Sequence, residues 1–270
     1  MDREWIYRQV GRDGYYKTWH KLDNNMFLLV HAGEGSIVLE DSVCPMKRGT
    51  LCFMGQNKYH YTFPERVEDY VRSKVFVSPE ELEKLSELLC DDGIFAQSFT
   101  DQAFAIGELD AADLGRAEEL LYRLTQVGEK AAHRSAERLS VILQLMVLVS
   151  RNMTYRKTKS LGPIPRVIEY INSHATEPLD HEQLCGISYM SKYHFCRRFK
   201  EQTGLTVMEY VLKTRIMLAE EMLAVGNASV STVSEHCGFS SISYFSRVFK
   251  QETGMTPMQY KQKKQKNKPL

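Results

Sequence analysis

Gly238-Phe-Ser-Ser-Ile-Ser-Tyr-Phe-Ser-Arg-Val-Phe-Lys250 decides the fold of the C-terminal part of this 270-residue chain. Just before it, Val230, Val233 and Cys237 recur at helical spacing and predict a short amphipathic helix. Gly238 supplies the positive φ that ends that helix, and Phe239 drops into the core at the turn. Ser240 or Ser241 then caps a second helix by accepting a backbone N–H. Phe245 and Phe249 stand four apart and share its buried face, while Ser243, Ser246, Arg247 and Lys250 fall largely outside. Gly254 ends this helix and Thr256-Pro257 opens another. A short helix, a tight turn and a second helix with small polar and basic residues outward is helix-turn-helix logic.

The same pattern stands fifty positions earlier, from Ser191 to Thr206. Phe195, Arg197, Phe199, Lys200, Thr203, Gly204 and Tyr210 coincide with Phe245, Arg247, Phe249, Lys250, Thr253, Gly254 and Tyr260. One supersecondary unit is therefore used twice. Asp180 to Gln183 reads as a capping box before Leu184, Gly186 to Met190 as the turn, and Ser191 as the start of the outward helix. Between the copies, Val207 to Leu223 reads as one long helix with a stripe of Tyr210, Val211, Met217, Leu218, Glu221 and Leu223. Such a helix sets the distance between the outward helices, and one turn of B-DNA is roughly 34 Å. Two Arg at equivalent repeat positions favour groove contact over a solvated charge. Arg gives two hydrogen bonds to guanine, worth about 1–3 kcal/mol of discrimination. Lys192, Lys200, Lys250, Thr206 and Thr256 are candidate phosphate contacts, which set register rather than sequence.

Residues 164–261 resemble the DNA-binding domain of the AraC/XylS family of bacterial transcription regulators. The resemblance rests on the stretch from Gly238 to Lys250, on Gly254-Met-Thr-Pro257 with Tyr260, and on Arg215, Ala219 and Leu223 in the linking helix. It implies base-reading positions at Tyr193, Cys196 and Arg197 in the first unit and at Ser243, Ser246 and Arg247 in the second. Cys196 is a poor hydrogen-bonding side chain for that task, and Cys185 and Ser234 stand where the family has a small Ala.

Charge divides the chain. Residues 156–270 carry 17 Lys and Arg against 10 Asp and Glu, and residues 1–155 carry 18 against 24. A basic half joined to an acidic half points to nucleic acid for one and another task for the other. The run from Lys261 to Lys268 reads as a basic tail. Six Cys (44, 52, 90, 185, 196 and 237) lack CxxC spacing and read as reduced core thiols. No secretory signal or membrane span is expected.

From Glu4 to Val77 short β-rich runs alternate with turns, including Phe27 to Val30, Gly35 to Leu39, Gly49 to Met54, Tyr59 to Phe63 and Tyr70 to Val77. Their order resembles the cupin-like sensor domain often fused to AraC-type DNA-binding units. His20, His31 and His60 are scattered and lack the His-x-His pair of a metal cupin, so no metal is expected. A small-molecule pocket is the better reading, with Trp19, His20, His31, His60 and Tyr61 as candidate liners. Ser78-Pro-Glu-Glu81 starts a helical region that extends to about Met153. Its apolar stripe packs either on its own barrel or on a second copy of the chain.

The expected fold class is α+β: an N-terminal cupin-like β-barrel with a helical dimerisation region, then an all-α domain with two helix-turn-helix units. The boundaries are 1–80 for the sensing barrel, 81–155 for the helical connector, 156–163 for the linker, 164–262 for the DNA-binding domain and 263–270 for the tail. The expected function is a cytoplasmic, dimeric, sequence-specific transcription regulator. Its partners are double-stranded DNA at a promoter or operator and a small-molecule effector such as a sugar or another metabolite. No catalytic residue and no cofactor are expected. The alternatives are a regulator whose N-terminal domain only dimerises, and a cupin-type enzyme with a DNA-binding appendage.

Overall fold

The computed structural model describes residues 6–10, 19, 22–40, 42–56, 58–88, 99, 104–126, 133–155, 162–225 and 228–266. The chain divides into two compact units: residues 1–16, 20–39 and 44–159, and residues 17–19, 40–43 and 160–270.

The first unit holds strands β1 (Ile6–Val10), β2 (Asn25–Ala32), β3 (Gly35–Leu39), β4 (Val43–Met46), β5 (Thr50–Met54), β6 (His60–Pro64), β7 (Val71–Val77), β8 (Phe104–Glu108) and β9 (Met153–Tyr155). Helices α1 (Pro79–Leu88), α2 (Ala111–Gln126) and α3 (Arg134–Arg151) accompany them. One sheet runs in the order β1-β7-β2-β5-β8-β9 and the other β4-β3-β6. β2 explains the layering. Its residues Phe27 and Leu29 join a core with α1, α2 and α3, whereas Met26, Leu28 and Val30 join a core with β3 and β4. A strand apolar on both faces belongs inside a layered stack. The expected barrel is thus two antiparallel sheets, and the larger one ends at the edge strands β1 and β9 rather than closing on itself.

The helical region covers the outer face of that sheet. Leu114, Ala117, Leu120 and Leu121 of α2 and Val141, Ile142, Leu145, Met146 and Val149 of α3 are buried there. Burial against its own sheet uses most of the stripe that the sequence left open to either partner. Ser78 caps α1 as expected: its hydroxyl accepts the Glu81 N–H at 3.2 Å and its own N–H reaches Glu81 at 3.0 Å. The Glu81 carboxylate also pairs with buried Arg138, which fastens α3 to the start of α1.

The second unit is helical: α4 (Pro163–His174), α5 (His181–Ser188), α6 (Lys192–Thr203), α7 (Val207–Val225), α8 (Val230–His236), α9 (Ile242–Thr253) and α10 (Pro257–Lys266). Both repeats fold as a short helix, a turn and a longer helix. Phe195 and Phe199, and Phe245 and Phe249, are fully buried as their spacing demands. The repeat extends to hydrogen bonds. Thr203 donates its hydroxyl to Phe199 O at 2.7 Å, and Thr253 donates to Phe249 O at 2.8 Å. Each hydroxyl also takes an N–H, from Leu205 and Met255 respectively, closing both helix ends identically.

The two turns differ. Gly238 has φ +75°, as its position predicts. In the first pair Gly186 lies inside α5, and the left-handed residue is Tyr189 at φ 54°. A bulky side chain in that region costs about 1 kcal/mol. Tyr189 is 86% exposed, so its ring recovers little by packing. Tyr189→Gly is expected to raise the stability of the helical unit by about 0.5–1 kcal/mol in urea unfolding. A lower midpoint would show that the ring's stacking with Arg166, 5.7 Å from the ring centre, outweighs the backbone cost.

Candidate nucleic-acid interface

Helices α6 and α9 carry equivalent outward faces. On α6, Lys192, Tyr193, His194, Arg197, Arg198 and Lys200 are exposed and Cys196 is half-buried. On α9, Ile242, Ser243, Tyr244, Arg247 and Lys250 are exposed and Ser246 is half-buried. Each expected base-reading residue therefore lies on the outward helix of its pair. Cys196 is the least available, its thiol turned toward His181 Nδ1 at 4.0 Å.

The two faces are electrostatically unequal. Arg197 Nε lies 3.6 Å from Glu201 Oε1 one turn on, with both side chains more than half exposed. The repeat position in α9 is Gln251, and the Arg247 guanidinium instead stacks 5.5 Å from the Tyr244 ring centre. An anion thus meets a competing carboxylate on α6 and none at the matching place on α9.

Thr206 and Thr256 act as helix caps. The N–H and hydroxyl of Thr206 both donate to Glu209 Oε2, at 2.7 and 2.8 Å. Those two hydrogen bonds, backbone first, hold the Glu209 carboxyl below its ordinary value. Thr256 makes the same pair to Gln259 Oε1 at 3.0 and 3.1 Å. A phosphate at either threonine would displace its capping partner, and at α7 that partner is an anion. Lys192, Lys200 and Lys250 are exposed, and Lys200 adds a favourable charge near Glu209.

Arg215 on α7 joins the pairs. Its Nε donates to Ala175 O at 2.7 Å, Nη2 to Glu177 O at 2.8 Å, and Nη1 to Gly238 O at 2.9 Å. The first two carbonyls belong to the loop between α4 and α5, and the third to the turn of the second pair. One planar fork therefore holds both pairs to the linking helix. A partly buried Lys213–Glu252 ion pair adds a second tie between α7 and α9. Sequence reading found Arg215 only as part of the linking-helix pattern and missed its three carbonyl partners. On α7 itself, Glu221 is exposed rather than part of the stripe, and Ile216 and Ala219 are buried instead.

The candidate ligand liners do not converge. Trp19 groups with the helical unit, buried edge-on to Tyr210 at 5.6 Å between ring centres. His20 lies outside the described residues. His31 faces α2, its Nδ1 2.9 Å from Glu118 Oε1 and its Nε2 2.8 Å from Ser73 Oγ. His60 and Tyr61 are buried neighbours on β6, so the strand pleat turns them to opposite faces. Among the described residues no cluster of three or more His, Cys, Asp or Glu is placed to hold a metal ion. Nor is any helix among them long and apolar enough to cross a membrane.

A helix-turn-helix domain model matches residues 184–263. The HTH-type transcriptional activator RhaS of Escherichia coli O157:H7 is 24% identical over 228 residues, covering 83% of this chain and 80% of RhaS. Among solved structures, ToxT from Vibrio cholerae is 15% identical with a TM-score of 0.41, covering 95% of this chain and 96% of ToxT. The DNA-binding domain of AdpA, solved with a target DNA, is 28% identical with a TM-score of 0.39 and covers 40% of this chain and 98% of that domain.

Proposed function

The chain belongs to the AraC/XylS family of DNA-binding transcription regulators, and from that premise we propose that both helix pairs act as helix-turn-helix readers. In this reading α6 and α9 enter successive major grooves of one duplex, and an effector bound in the N-terminal unit adjusts how two copies of the chain meet their half-sites. Regulation is by activation, as the name of its relative RhaS states for that protein. The protein works in the cytoplasm as a homodimer. Residues 164–262 form the DNA-binding domain, residues 1–80 the sensing region and residues 81–155 the connector.

The single observation that carries the reading is the repeated outward face of α6 and α9, presented from one linking helix. Arg197 and Arg247 are the guanine readers. Ser243, Ser246 and Tyr193 make shorter-range contacts, and Lys192, Lys200 and Lys250 hold phosphates. The carboxylate beside Arg197 has no counterpart at the matching position 251, so Arg247 is the less screened of the two guanine readers.

The binding site is obtained by selection from a randomised duplex pool with the full chain. On the selected site, Arg247→Ala is expected to cost about 1–3 kcal/mol and to relax preference at one base pair, with little effect on random DNA. Equal weakening on both would sink base reading by Arg247. Lys250→Gln is expected to weaken both DNAs alike and to lower the slope of log affinity against log salt by about 1. An unchanged slope would remove Lys250 from the phosphate set.

A further inference from the structure

The two outward helices hold their arginines by different means. On α9 the Arg247 guanidinium lies over the Tyr244 ring, 5.5 Å from its centre. Tyr244 in turn leans on Phe239, the buried residue of the turn, with ring centres 6.2 Å apart and planes tilted by 52°. Phe239 packs on fully buried Phe245, with ring centres 5.0 Å apart. The helix cap fixes the backbone beneath the ring, because Ser241 Oγ accepts the Tyr244 N–H at 3.3 Å. One aromatic row therefore runs from the core of the second pair to the side chain assigned to guanine.

The first pair lacks that row. Fifty positions before Phe239 stands Tyr189, which is exposed and carries Arg166 over its ring. Fifty positions before Tyr244 stands His194, also exposed. Arg197 turns instead to Glu201 at 3.6 Å. The difference is chemical. A carboxylate holds a guanidinium by its in-plane N–H groups, which are the same groups that guanine O6 and N7 require. An aromatic face attracts the cation through its quadrupole and leaves those donors free. Among the described residues no hydrogen bond or ion pair takes the Arg247 N–H groups. The side chain is restrained while its fork stays uncommitted, so less rotamer freedom is lost when a base is bound.

We propose that Tyr244 is a positioning residue for base recognition. Its ring, braced by Phe239, presents the Arg247 fork to a guanine in the major groove, and the specificity of the second pair depends on it without its touching that base. This deepens the reading of Arg247 as a guanine contact and rests on it.

The test uses the full chain and its selected site, with 7-deazaguanine placed at each guanine in turn. That base replaces the N7 acceptor by C–H and keeps O6. Affinity is measured by fluorescence anisotropy on the selected and the random duplex, and folding by thermal unfolding. The guanine read by Arg247 is the one whose penalty vanishes in Arg247→Ala, and in the wild type that penalty is expected to be about five- to tenfold. In Tyr244→Leu, affinity for the selected site is expected to fall about two- to fivefold and the penalty to shrink below about twofold, with random DNA unaffected. Tyr244→Phe keeps the ring and is expected to keep both the affinity and the full penalty. Tyr244→Gln, which also removes the ring, is read in the same way if Tyr244→Leu fails to fold. A purely structural role would weaken both duplexes and leave the penalty intact. A full penalty without the ring overturns the proposal and leaves base reading by Arg247 standing. Tyr244→Phe behaving as Tyr244→Leu also overturns it, since the hydroxyl would then carry the effect. If no guanine shows a penalty that depends on Arg247, base reading by Arg247 fails and the positioning role fails with it.

Discussion

Arg215→Met is expected to lower the stability of the helical unit by about 2–4 kcal/mol and to abolish preference for the selected two-groove site. Three carbonyls lose a charged donor at once, and each such hydrogen bond contributes about 1.5–3 kcal/mol. Methionine preserves much of the aliphatic packing, so the loss reports the fork rather than a cavity. The loss is below the simple sum because Arg215 is only half-buried and water replaces part of what is removed. The functional effect exceeds the stability effect. The fork joins the loop after α4 to the turn at Gly238, so its removal frees one helix pair from the other. Two readers held in register bind as one; two readers with independent orientation lose the advantage of linkage. Gly238→Ala tests the same junction from the other side. An added Cβ would lie 2.6 Å from Thr176 O, at a backbone φ of +75° that already disfavours alanine. Urea unfolding and titration with one-groove and two-groove duplexes measure both variants. Unchanged stability together with full two-groove affinity in Arg215→Met would refute the junction.

Lys74→Met is expected to stabilise the N-terminal unit by about 2–4 kcal/mol below pH 7, and the gain is expected to vanish as pH approaches 10.5. The folded value of about 7 lies below the ordinary 10.5 of a free lysine. Below pH 7 the amine is charged in both folded and unfolded chains, so the wild type carries the whole penalty of burying an ammonium. Between 7 and 10.5 the folded amine is neutral and the unfolded one still charged. The unfolded state then binds more protons, and wild-type stability rises with pH. Above 10.5 neither form is charged and the two proteins converge. The full difference is worth about 1.4 kcal/mol per unit, reduced here because the side chain keeps some contact with water. Chemical denaturation across pH 6 to 10 measures the gap. A constant gap would mean that Lys74 is solvated in the folded protein.

Legibility followed range. The second repeat was readable nearly residue by residue, because Phe245 and Phe249, the cap at Ser241 and the turn at Gly238 all depend on neighbours within a few positions. The first turn was read within the right stretch, Gly186 to Met190, but three residues early at its start, because Gly186 attracts the reading whereas the left-handed backbone falls on Tyr189, a residue with no local signal for it. The strands of the N-terminal half were legible as alternating runs, but their closure was not, since pairing joins segments as distant as β1 and β7. The surroundings of the ligand liners were not legible for the same reason. His31 looked like a pocket residue and is bound to Ser73 and Glu118, 42 and 87 positions away.

The amino-acid order by itself determined that one helical unit occurs twice, which residues each copy buries, and that Arg197 and Arg247 face outward. Those properties come from helical periodicity, written in residues three and four apart. Only the tertiary structure decided that Arg215 ties the copies together through carbonyls 23 to 40 positions distant, and that Lys74 sits beside Arg72 in an apolar layer, with no acidic partner among the described residues. A carbonyl partner is supplied by the backbone, which every residue has, so no residue type announces it. The burial of a lysine depends on which distant strands stack above it, and local sequence does not record that.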